Sequence, residues 1–109
     1  MKWYEVGQID DEKAFIKKIT IGNKKLCLVK YRDGYFALSA KCPHAGADLS
    51  TGWCENGKII CPFHRYSYNL SNGRGSEPQG DYVETYSVEI RENSIYIGMP
   101  SFWDSFKSK

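Results

Sequence analysis

The chain has 109 residues, 41% of them hydrophobic and 26% charged, and a net charge of +2 at pH 7. That length suits one domain (residues 1–109) with a modest core, and acid and base mixed this evenly argue against a nucleic-acid binder, which would carry a concentrated basic face. No apolar run approaches the length of a membrane-crossing helix, and the opening MKWYEVGQIDDEK has no apolar secretory core, so the expected location is cytoplasmic.

Trp3–Val6 reads as a short first strand, and the polar Gln8–Lys13 as a loop or one helical turn in which Asp10, Asp11 and Glu12 are solvated. Ala14–Ile21 is rich in β-branched residues and ends at Gly22-Asn23, a turn signal; Lys25–Tyr31 is the returning strand. Arg32-Asp33-Gly34 turns the chain into a third strand, Tyr35–Ser39. The basic pairs Lys17-Lys18 and Lys24-Lys25 read as the solvated end of a hairpin. Further on, Thr51–Cys54 and Lys58–Ile60 flank Glu55-Asn56-Gly57, and Asn-Gly between two short apolar runs is a strong hairpin signal. Arg65–Leu70 is a strand with alternating tyrosines, Ser71–Gly80 an exposed loop, and Tyr82–Ile90 with Ser94–Gly98 a last hairpin. Strands recurring this often without a convincing helix predict an all-β antiparallel sandwich or small barrel. The tail, residues 99–109, carries Phe102, Trp103 and Phe106, spaced to pack as one helical turn on the body.

Between the third strand and the tyrosine strand lies KCPHAGADLSTGWCENGKIICPFHRYSY, with two cysteine–histidine pairs, Cys42-Pro-His44 and Cys61-Pro-Phe-His64. Two thiolates and two imidazoles in matched short loops suit a mixed-ligand [2Fe–2S] centre, one iron taking two cysteine sulfurs and the other two histidine nitrogens. A structural zinc site is the competing reading, but its ligands usually come as a Cys pair and a His pair, whereas each loop here supplies one of each. Pro43 and Pro62 lock φ after each cysteine, and Gly46 permits a sharp turn beside the metal. Backbone N–H groups in such loops can point at the sulfurs and stabilise the reduced cluster. Of the two cysteines left over, Cys27 in the run LCLV reads as a buried thiol, and Cys54 as either buried or exposed; in a reducing compartment they are not expected to pair.

The runs from Cys42 to Gly52 and from Cys61 to His64 resemble the two cluster loops of the Rieske iron–sulfur family, and a weaker likeness extends from Trp3 to Gly98. The resemblance implies one [2Fe–2S] cluster held by Cys42, His44, Cys61 and His64, in a β-rich body with a smaller cluster-binding part at about residues 41–67. High-potential members carry a disulfide between the loops, at positions occupied here by Ala47 and Phe63, and a serine where Tyr66 stands. They also place a tyrosine four residues after the second histidine, which Tyr68 matches, and the resemblance implies that its hydroxyl can donate to the sulfur of Cys42 or Cys61. Many soluble members have glycine where this chain has Arg65. Phe63 and Trp53 are expected to shield the site and pack in the core.

These readings point to a soluble one-electron carrier of the Rieske ferredoxin type, passing electrons from a flavin reductase to an oxygenase or other redox enzyme, and itself not a catalyst. A terminal oxygenase would need a further mononuclear iron held by two His and a carboxylate, but the chain has only two histidines and the cluster uses both. No Gly-rich dinucleotide fingerprint is present either. The alternative is a small Rieske subunit of a larger oxidoreductase complex.

Overall fold

In a computed structural model of the protein, the described residues are 2–9, 13–43, 46–63, 65–76 and 80–99. Asp10, Asp11, Glu12, both histidines and the aromatic tail from residue 100 onward lie outside them. Among the described residues nine strands follow in order: β1 (Lys2–Gln8), β2 (Phe15–Ile21), β3 (Lys24–Tyr31), β4 (Gly34–Ser39), β5 (Trp53–Glu55), β6 (Lys58–Ile60), β7 (Ser67–Asn69), β8 (Thr85–Arg91) and β9 (Ser94–Met99). They form two antiparallel sheets. A curled six-stranded sheet runs β1-β9-β8-β4-β3-β2, and a small three-stranded sheet runs β5-β6-β7. Among the described residues the only helical turn is a 3-10 turn at Leu49–Thr51, and no helix is long and apolar enough to cross a membrane. The expected all-β antiparallel fold is therefore present.

Four tight turns set the registers. Asn56 and Gly57 have φ of 51° and 78°, and Glu92 and Asn93 have 48° and 70°; two successive left-handed residues match the twist of the strands they join. Gly22 (φ 60°) and Arg32 (φ 57°) start the turns β2–β3 and β3–β4. The two Lys pairs separate here. Lys24-Lys25 do open β3 at a hairpin end, but Lys17-Lys18 sit mid-strand in β2, paired with Leu28 and Cys27. β2 is an edge of the large sheet, where lysines hinder pairing with another chain.

β3 explains how the two sheets hold together. Its residues Leu26 to Val29 are all buried, and because side chains alternate along a strand, they feed two different cores. Leu26 and Leu28 pack inside the curl with Ala37, Ile95, Ile97 and Met99. Cys27 and Val29 face the other way, packing with Leu38, Leu49, Ile59, Tyr68, Leu70 and Val83. The second core glues the small sheet to the large one. Truncating a fully buried member such as Ile59 to Ala would cost about 3 kcal/mol.

The expected exposed loop is present at Ser71, Asn72 and Arg74 but not throughout residues 71–76. Gly73 is buried, its N–H donates to the Asn69 carbonyl (2.7 Å), and its carbonyl accepts from Val83 N–H (2.8 Å). Isolated bridges pair Tyr68 with Gly75 and Arg74 with Tyr82. The segment is laced to β7 on one side and to residues 81–83 on the other, so several of its backbone groups find partners in the fold rather than in water.

Candidate metal centre

The two cysteine loops share a construction that their sequences only hint at. Cys42 N–H donates to the Ala47 carbonyl (2.8 Å), and Cys61 N–H donates to the Tyr66 carbonyl (2.7 Å). Each loop therefore closes on the residue five positions after its cysteine. The first is tightened by Gly46, whose φ of 67° lets its N–H reach the Cys42 carbonyl (2.8 Å), as its glycine leads one to expect. The bridge between Lys41 and Asp48 and the bond from Leu49 N–H to the Ala40 carbonyl (2.7 Å) pin the base of that loop. The β5–β6 hairpin joins the loops, and its short span brings them side by side.

Cys42 and Cys61 are both 0% exposed, and their thiols lie close enough to act on each other's ionisation. Burial pushes the Cys61 thiol up; the backbone N–H of Phe63, directed at its sulfur, pulls it back, and neighbouring Cys42 raises it further. Two buried thiols this close strain to ionise together, and a cation between them relieves that strain. The donor set thus fits a metal centre: two sulfurs converge from loops that each carry a histidine two or three residues on. His44 and His64 themselves lie outside the described residues, as does any statement of how they are placed.

Tyr68 is fully buried, paired with Ile59 across β6–β7, and its hydroxyl lies 3.4 Å from the Cys42 sulfur. The hydroxyl thus meets the sulfur of one of the two expected cysteines, Cys42. The same hydroxyl donates to Asp81 Oδ2 at 3.0 Å. Sequence reasoning missed Asp81: it comes thirteen positions later, beyond a Gly- and Ser-rich stretch, and nothing local marks it. Burial pushes the Tyr68 hydroxyl well above the usual tyrosine range, and Cys42 and Asp81 push the same way, so it keeps its proton at any ordinary pH. Pro43 and Pro62 sit exposed at the loop surface.

Two neighbours differ from expectation. Phe63 is 57% exposed, so it is a surface group at the tip of the second loop and not core packing. Trp53 is half-buried, its indole N–H bonded to Glu55, with the Arg65 guanidinium 5.7 Å from its ring centroid. Arg65 has φ of 57°, the left-handed region that glycine enters freely and arginine does not. Burial pushes the leftover thiol of Cys27 up to about 12, helped by Asp48 and opposed by Lys18, and that of half-buried Cys54 up to about 11, which disfavours the reactive thiolate at both.

Residues 2–87 match the family model of the Rieske [2Fe-2S] domain. The chain is 33% identical over 89 residues to human apoptosis-inducing factor 3, a match that takes in 81% of this chain but spans only 15% of that protein. It is 34% identical over 74 residues to the ferredoxin subunit of 3-phenylpropionate/cinnamic acid dioxygenase of Photorhabdus laumondii, covering 66% of this chain and 70% of the relative. Its fold superposes with a TM-score of 0.79 and 26% identity on a chain from the complex of reduced oxygenase and oxidized ferredoxin in carbazole 1,9a-dioxygenase, covering 87% of this chain and 100% of the other. The protein belongs to the Rieske [2Fe–2S] domain family, and its cofactor is a single [2Fe–2S] cluster.

Proposed function

We propose that this chain is a Rieske-type ferredoxin, a one-electron carrier between a flavin reductase and an oxygenase or other oxidoreductase, acting in the cytoplasm. Cys42 and Cys61 hold one iron and His44 and His64 the other, within a single domain whose cluster-binding part is about residues 41–67. When bound, the cluster would supply one-electron redox chemistry. The protein does the rest. The core around Leu49, Ile59 and Tyr68 excludes water from the sulfurs, the Phe63 N–H is directed at Cys61, and the two closed loops keep the ligands from relaxing as the charge changes. Exposed Phe63, beside Arg65 over Trp53, gives the second loop an apolar face for a partner.

The observation that carries this reading is the convergence of two buried cysteines from loops closed in the same way, each followed by a histidine. Ferredoxin components among the relatives support the carrier role, and the oxygenase–ferredoxin complex supports the kind of partner. The likeness to a small part of a long human protein favours the second reading, a Rieske component working inside a larger oxidoreductase assembly. Anaerobic purification tests the first point: a brown protein with visible absorption bands, and iron and acid-labile sulfide in equal amounts, is expected. A colourless zinc protein would overturn it. Co-purification from the native host separates a free carrier from a subunit of a stable complex.

A further inference from the structure

The Tyr68 hydroxyl has one proton and two acceptors. Asp81 Oδ2 stands at 3.0 Å and the Cys42 sulfur at 3.4 Å, each a normal distance for its element. A thiolate bound to iron brings no proton, and neither does a carboxylate, so only the phenol can supply one. Tyr68 is 0% exposed, so its hydroxyl proton goes to one of these two acceptors and not to water. Asp81 is fastened in place: its carbonyl accepts from Gly75 N–H (2.9 Å), and Gly75 is bridged to Tyr68 itself.

We propose that Asp81 is a positioning residue that draws the Tyr68 proton away from the Cys42 sulfur and so holds the cluster at a lower midpoint potential. A carboxylate oxygen is a compact, charged acceptor and binds an O–H more strongly than a sulfur whose charge is shared with iron. With the proton turned toward Asp81, Cys42 faces an oxygen lone pair, and the reduced cluster loses a hydrogen bond that would have favoured it. The negative charge of Asp81 acts in the same direction. The inference rests on the assignment of Cys42 as a ligand.

A double-mutant cycle in the cluster-loaded protein separates proton from charge. Midpoints are measured by protein-film voltammetry for the native chain, Asp81→Ala, Tyr68→Phe and the double variant. Asp81→Ala raises the midpoint in both backgrounds, because a charge is lost, but raises it more when Tyr68 is present, because its proton is released to the sulfur. Correspondingly, Tyr68→Phe alone shifts the midpoint little and shifts it down clearly in the Asp81→Ala background. Resonance Raman spectra in D2O give a second readout: the iron–cysteine stretches become deuterium-sensitive on Asp81→Ala and lose that sensitivity in the double variant. Asp81→Asn, nearly isosteric, gives a smaller coupling of the same sign and serves if the alanine variant does not load. Additive midpoint shifts, or a deuterium effect already full in the native protein, overturn the role of Asp81. A protein that never holds iron overturns the ligand assignment beneath it, and the spectrum tells the two failures apart.

Discussion

Lys18 Nζ, in the middle of edge strand β2, lies 2.6 Å from Asp48 Oδ2, at the exit of the first cysteine loop. Asp48 also caps the 3-10 turn, its Oδ1 accepting from Ser50 N–H at 2.9 Å and from the Ser50 hydroxyl at 2.6 Å. One carboxylate thereby ties the loop to the body and starts the turn that leads into Gly52. Burial alone would push this carboxyl up; the Lys18 ammonium and the two Ser50 bonds outweigh it and hold it at about 2, below its ordinary 3.8.

Because the folded value lies below the unfolded one, the contribution of Asp48 is fully present above pH about 4 and is lost as pH falls through about 2. The partners are 43% and 31% exposed, so the pair itself is a surface one and contributes about 0.5 kcal/mol. Asp48→Asn removes that pair while keeping the cap, and Asp48→Ala removes both, costing about 1.5 kcal/mol in total. Urea unfolding at pH 7 and at pH 3 checks this: the gap between native and Asp48→Asn should narrow at the lower pH.

Gly52→Ala should destabilise the chain by about 3 kcal/mol or more. The backbone there is extended, so the cause is space and not φ: an added Cβ would sit 1.9 Å from the Ile60 carbonyl oxygen. That oxygen belongs to the hairpin that joins the loops, so the clash should also weaken cluster retention. Chemical denaturation, with the visible spectrum followed in parallel, would show both losses.

Arg65→Gly and Arg65→Ala should differ, with the glycine variant the more stable by about 1 kcal/mol. Both lose the guanidinium over Trp53. Only glycine relieves the left-handed strain at φ 57°. Equal melting temperatures for the two variants would mean that the strain is absorbed elsewhere.

Cys42→Ser and His64→Ala should each express poorly or lose iron, since ligation energy is also folding energy in a small metal-binding domain. Iron and sulfide analysis with visible absorption is the check. A well-folded His64→Ala protein with a normal [2Fe–2S] spectrum would remove His64 from the ligand set.

The midpoint should fall in the lower half of the family range of roughly −150 to +300 mV. Ala47 and Phe63 stand where high-potential members place the inter-loop disulfide, Tyr66 stands where they place a serine donor, and the Tyr68 hydroxyl is engaged by Asp81. Voltammetry near neutral pH gives the value directly, and a midpoint near the top of the range would contradict this account of the sulfur environment.

The sequence by itself determined what depends on neighbours in the chain. Asn56-Gly57 specifies a hairpin because its backbone enters the left-handed region easily, and Cys42-Pro-His44 and Cys61-Pro-Phe-His64 declare their chemistry through spacing alone. β-branched runs and turn signals marked the strands, and their ends were legible to within a residue or two except at β8, expected from Tyr82 but beginning at Thr85. Only the tertiary structure decided what depends on partners far along the chain. LCLV in β3 reads as one apolar run, yet it divides between two cores, and nothing within the run says what lies on either face. The stretch after β7 looks like a solvated loop by composition, but Val83 and Tyr82 supply partners that hold part of it in the fold. Phe63 is apolar and still outside, because the tight closure of its loop directs the backbone at the sulfur and leaves its ring no core to enter. Asp81 reaches Tyr68 through the same lacing. Turn and ligand motifs are encoded by local backbone preference and side-chain chemistry; which distant carboxylate meets a buried hydroxyl is set by the packing of all the strands together, and no short stretch of sequence contains that information.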